Sequence, residues 1–162
     1  DLQAALPQVL EVIRQEIEKG SGKVGIEDTV GSGVAGVEQL GTFQSMTVQG
    51  RNESGTVTDL SLQFENGRVH LYHENTIRNV LGKAMTSVMD KNGEMVHTLN
   101  MLPSAAFSVE DSGEGKIVLY GGGLGHGIGM SQYEADGMAR AGKSYEEILT
   151  FFFPGTEIAG NL

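Results

Sequence analysis

Residues 43–72 read FQSMTVQGRNESGTVTDLSLQFENGRVHLY, and their near-alternation of apolar and polar side chains decides the fold class. Phe43, Met46 and Val48 precede a polar turn at residues 52–55, and Val57, Leu60, Leu62 and Phe64 follow it. A second turn, Glu65-Asn66-Gly67, leads into Val69 and Leu71. Successive side chains on a strand point to opposite faces, so such runs bury one face and wet the other. Asn-Gly between them is the strongest short-range hairpin signal. The stretch therefore predicts consecutive antiparallel strands.

Helical spacing appears on both sides of this sheet. Upstream, Leu6, Val9, Leu10, Ile13 and Ile17 recur every three or four residues, while Glu11, Arg14, Glu16 and Glu18 lie mostly off that stripe. This predicts an amphipathic packing helix over residues 2–17. Pro7 is tolerable only near a first turn, which places the helix start at about that residue. The GSGVAG run at 31–36 predicts a loop or flexible joint. Downstream, residues 74–81 predict a short helix capped by Asn75 or Thr76. Residues 83–100 are ambiguous around a polar turn, Asp90-Lys91-Asn92-Gly93, and 107–109 and 116–120 read as strands. A Gly-rich loop at 121–130 then precedes two short helices. Ser131 with Glu134, and Ser144 with Glu147, each have capping-box spacing, and Pro154-Gly155 stops the second helix. The expected fold is α+β, with a mostly antiparallel sheet, an N-terminal helix and two short C-terminal helices. It forms one domain over residues 1–162, with helix and joint in 1–40 and the remainder in 41–162.

Bulk composition removes several functions. Hydrophobic residues make up 39% of 162, enough for a core. The formal charge is -10, and no run of basic residues occurs, which disfavours nucleic acid and anionic membrane as partners. No apolar segment approaches the ~18 residues that a membrane span needs. The absence of cysteine removes disulfides, thiolate metal sites and a Cys nucleophile, and neither a metal nor a cofactor is expected. The chain opens directly in a helical pattern, as a mature or trimmed form would.

The chemistry concentrates after residue 120. Six glycines fall within 121–129, and His126 sits between two of them. Flanking glycines leave an imidazole unshielded and let the backbone approach a ligand closely. The helix start at Ser131, Gln132 and Tyr133 offers free N–H groups to oxygen-rich ligands. The same pattern also fits a structural histidine within a tight turn. Ser131 is read as an N-cap rather than a nucleophile, because its surroundings lack the second glycine of a nucleophile elbow. Glu134 is either the partner in that cap or an acid beside the His126 loop. His70, His73 and His97 are read as solvated strand or loop residues. GMARAGKS at 137–144 fits the P-loop pattern but follows a helix start instead of a buried strand, so it is read as a coincidence.

These residues assemble into a known pattern. GHGIGMSQY at 125–133, GMA at 137–139, AG at 141–142, SY at 144–145, EIL at 147–149 and FPGT at 153–156 resemble the C-terminal signature of the SpoIID/LytB family. Upstream, SGTV at 54–57 with Leu60, Ile77-Arg78 with Leu81-Gly82, and Leu102-Pro-Ser104 with Phe107 resemble further elements of that family, in the same order. The resemblance covers about residues 46–158 and identifies the chain as the C-terminal portion of such a domain.

The resemblance implies extracytoplasmic bacterial cell-wall work. The family includes a sporulation lytic transglycosylase that cuts denuded peptidoglycan glycan strands, and an enhancer of an N-acetylmuramoyl-L-alanine amidase. Transglycosylation needs a carboxylic acid that protonates the glycosidic oxygen and then, as base, assists attack by the sugar's own 6-hydroxyl. The family's catalytic Glu block, and the Cys-containing zinc ligands of some members, have no counterpart here. The catalytic residue is therefore unassigned, with Glu134 a candidate. His126, Ser131, Gln132, Tyr133 and Arg78 are the expected substrate contacts. The expected partners are glycan strands and an amidase.

Overall fold

A computed structural model describes residues 2–84, 87–97, 100–111 and 117–159. The chain divides into two compact units, Asp1–Gly127 and Ile128–Leu162.

The first unit is built on a four-stranded antiparallel sheet in the order β1-β4-β3-β2. Its strands are β1 (Val24–Asp28), β2 (Phe43–Arg51), β3 (Val57–Phe64) and β4 (Gly67–Tyr72). Leu60 lies opposite Leu71, and Leu62 lies between Val69 and Met46, so one face is continuously apolar. α1 (Leu2–Glu18) and α2 (Glu74–Ala84) complete the core over these residues, contributing Val9, Ile13, Ile77, Val80 and Leu81. Each such aliphatic side chain contributes roughly 1.5–3 kcal/mol when fully buried. The mixed α+β class is as the sequence predicts.

Several local readings need correction. α1 begins at Leu2 and carries Pro7 inside it. Leu6 and Leu10 on the same stripe pack against the core, and that packing offsets the one backbone hydrogen bond that proline cannot donate. The β3–β4 turn is centred on Glu65 and Asn66, since Gln63 pairs with Arg68. Glu65 N donates to Thr42 O at 2.9 Å and Asn66 N to Leu40 O at 3.0 Å, which clamps the turn from outside. Gly67 is needed for a different reason than expected: a Cβ there would stand 2.9 Å from Glu27 O.

β1, five residues long and half polar, was not foreseen. The joint after it is tied down, because the Asp28 carboxylate accepts from Gly33 N at 2.7 Å and Ser32 N at 3.1 Å. The Gly33 N–H, above all, holds that carboxyl below its ordinary pKa. α2 starts at Glu74, as the sequence predicts, so both proposed caps lie inside the helix and it follows directly on His73, whose φ is +65°.

Two small hairpins extend the first unit. β5 (Ser87–Met89) pairs with β6 (Met95–His97) across the turn foreseen at 90–93. β7 (Phe107–Asp111) pairs with β8 (Ile117–Gly121), while residue 116, expected in that strand, lies outside the described residues.

The second unit holds α3 (Gln132–Arg140) and α4 (Tyr145–Phe152). Ser144 and Glu147 form the full capping box on α4, whereas at α3 Ser131 Oγ accepts from Glu134 N at 3.2 Å. Residues 137–140 are helical and Ser144 is a cap, so the P-loop-like string lacks the preceding strand that a phosphate loop requires.

Candidate functional site

The Gly-rich loop leaves β8 and turns by left-handed glycines, with φ of +87° at Gly123, +127° at Gly125 and +70° at Gly127. His126 stands between the last two and is exposed. Its backbone neighbours are anchored on both sides. Gly125 N donates to Pro103 O at 2.9 Å. Gly127 O accepts from Ser54 Oγ at 3.0 Å and from Asn52 Nδ2 at 3.4 Å.

These anchors are themselves braced. Asn52 Oδ1 accepts from Thr56 N at 2.9 Å and Ser54 Oγ at 2.8 Å, folding the β2–β3 turn around its own side chain. Val57 N donates to Ala105 O at 2.9 Å, which joins β3 to the segment after Pro103. Arg78, on α2, donates from Nε to Leu102 O at 2.9 Å and from Nη2 to Pro103 O at 3.1 Å. The SGTV, Ile77-Arg78 and Leu102-Pro-Ser104 segments, scattered over fifty residues of sequence, thus converge on one loop. Nothing in their spacing announced this, because each contact is made through backbone carbonyls that every residue possesses.

The predicted contacts are distributed as follows. His126 belongs to the first unit, and Ser131, Gln132, Tyr133 and Glu134 to the second. Ser131 is the N-cap of α3, and Gln132, Tyr133 and Glu134 are exposed on its first turn, Tyr133 at 86%. Arg78 is partly buried and engaged with the two carbonyls. His70 differs from its reading as a solvated residue. It is 22% exposed, with Nδ1 3.6 Å from Asp59 Oδ1 and Nε2 3.6 Å from Glu27 Oε2, and Tyr72 stacks on its ring. Among the described residues no group of three or more His, Asp or Glu is placed to hold a metal ion. No described helix is long and apolar enough to cross a membrane.

Gly127 provides a local test of the anchoring. Alanine there would meet Thr56 Oγ1 at 2.4 Å and keep a φ of +70°. The left-handed conformation alone costs roughly 1–2 kcal/mol for a side-chain-bearing residue. The Gly127→Ala chain is expected to remain folded but to lose amide-exchange protection across 125–127. Adding Thr56→Ala should restore part of it, and unchanged protection in the single variant would refute the anchoring.

No family model matches the chain, and no solved structure does. Curated proteins match in part. An uncharacterized protein of Brachyspira hyodysenteriae is 39% identical over 83 residues, covering 48% of this chain and 22% of that protein. The amidase enhancer of Bacillus subtilis is 56% identical over 43 residues, 26% of this chain and 6% of the enhancer. Stage II sporulation protein D of the same organism is 41% identical over 58 residues, 36% of this chain and 17% of that protein. The matched regions thus span between 6% and 22% of these relatives' lengths.

Proposed function

We propose that this chain, which is similar over part of its length to an amidase enhancer and to a stage II sporulation protein D, engages denuded peptidoglycan glycan strands outside the cytoplasmic membrane, as part of a SpoIID-type lytic transglycosylase. The observation that carries this reading is the exposed His126 ring, set between two glycines whose backbones are tied to separate braced segments. The anchored backbone on either side fixes where this imidazole stands, so little conformational entropy is lost when a polar polymer docks. In this reading the second unit, taken by itself, offers exposed Gln132 and Tyr133 for hydrogen bonding and stacking, and Ser131 caps the helix that carries them. The acid comes from elsewhere in the longer protein. Arg78 acts through Pro103 as a positioning residue.

Retention on denuded glycan strands tests the proposal. His126→Gln is expected to weaken retention about tenfold, equivalent to about 1.4 kcal/mol, with an unchanged melting temperature. Equal retention would remove His126 from the site. The chain alone is expected to release no anhydro-muramoyl product. Release that Glu134→Gln abolishes would instead make Glu134 the acid.

A second reading is favoured by the 56% identity to an amidase enhancer. Here the chain is a non-catalytic module that binds glycan or an amidase partner. Stimulation of an amidase by the chain, without glycan cleavage, separates this reading from the first.

A further inference from the structure

A cavity of about 570 Å³ opens on the first unit beside the start of the Gly-rich loop. Residues 88–90 form one wall and residues 117–123 another, over a floor that includes Leu102, Pro103 and Phe107. The second wall is seven consecutive residues that run along β8 into the start of the Gly-rich loop. Among the described residues β8 pairs with β7 alone. In an antiparallel ladder alternate residues turn their N–H and C=O groups away from the partner strand. Among the described residues β8 therefore presents an unpaired backbone edge above an apolar floor, an arrangement that invites strand addition.

We propose that this edge takes an extended basic peptide segment of a partner protein as an added strand, with apolar side chains on the floor and a Lys or Arg at Asp90. The backbone edge selects a peptide over a glycan, because only a peptide carries a matching row of N–H and C=O groups. A five-residue strand spans roughly 17 Å, room for four or five residues of ligand. Charge fixes the rest. Among the described residues Asp90 is the one carboxylate lining the cavity. The backbone N–H groups of Glu94 and Asn92 bond to it, the former at 2.9 Å and the latter at 2.8 Å, and hold its carboxyl below the ordinary range. The chain's net charge of -10 attracts a cationic segment and opposes a second copy of itself.

The test uses the full chain and three capped heptapeptides, followed by amide chemical shifts. The first probe is Lys-Val-Thr-Val-Thr-Val-Thr. The second replaces Lys by Glu, and the third is N-methylated at each Val. The first peptide is expected to shift amides across 117–121. The second should bind about tenfold more weakly, the third should not bind, and Asp90→Asn should erase the difference between the first two. Absence of binding at millimolar peptide, equal binding of the N-methylated probe, or dimerisation of the chain through this edge would each overturn the proposal. Glycan retention by the same sample is expected to be unaffected by peptide, so its loss or survival reports on the His126 site separately.

Discussion

Replacing Gly82 with alanine is expected to destabilise the first unit by at least about 2 kcal/mol, although alanine is the better helix former. Gly82 lies inside α2 and is buried. A Cβ built there stands 2.4 Å from Met101 Cα, 2.9 Å from Met101 C and 3.0 Å from Leu102 N. Every obstructing atom is backbone, so no rotamer change relieves the contact. In an open helix the exchange would gain about 1 kcal/mol. Overpacking of a fixed contact costs about 1–3 kcal/mol and occasionally more, and a 2.4 Å approach belongs at the upper end. The helix must therefore lift from the 101–102 segment, which also breaks the 3.0 Å bond from Leu102 N to Arg78 O. Urea unfolding should show a lower midpoint at an unchanged slope. A variant as stable as the parent would mean that α2 and this segment are not in close contact.

The sheet was legible in the sequence because β2, β3 and β4 carry their apolar residues in register, with Met46, Leu62 and Val69 meeting across three strands. β1 was not, since Val24-Gly25-Ile26-Glu27-Asp28 has two apolar side chains and gains its place by pairing along β4. The second hairpin turn, read as Glu65-Asn66-Gly67, is one residue shorter, because Gly67 already belongs to β4. Its geometry is set by Leu40 and Thr42, far from it in sequence. The same limit governs the site. His126 stood out because glycines flank it, and Ser131 because of its spacing to Glu134. The roles of Asn52, Ser54 and Pro103 were invisible, because a turn residue gives no sign of which distant carbonyl or amide it will meet. Arg78 shows the ambiguity most plainly: a charged residue on a helix reads as surface until its acceptors are located.

That ambiguity makes Arg78→Met the most informative substitution. Methionine keeps the aliphatic stem but removes both donors, leaving Leu102 O and Pro103 O without the guanidinium. Hydrogen bonds to a charged group contribute roughly 1.5–3 kcal/mol each, so a loss of about 3 kcal/mol is expected after partial compensation by water. Arg78→Lys should recover less than half, since a single ammonium lacks the planar fork that reaches two carbonyls together. The effect should also travel in a defined direction. Pro103 O accepts from both Arg78 Nη2 and Gly125 N. Releasing the first partner frees the segment that holds the second, and the Gly125 amide should exchange faster before the unit as a whole unfolds. Glycan retention should fall with it, because the His126 ring loses one of its two anchored neighbours. An Arg78→Met chain with parental stability and a protected Gly125 amide, yet weaker glycan retention, would refute the positioning role. It would return Arg78 to direct contact with the substrate.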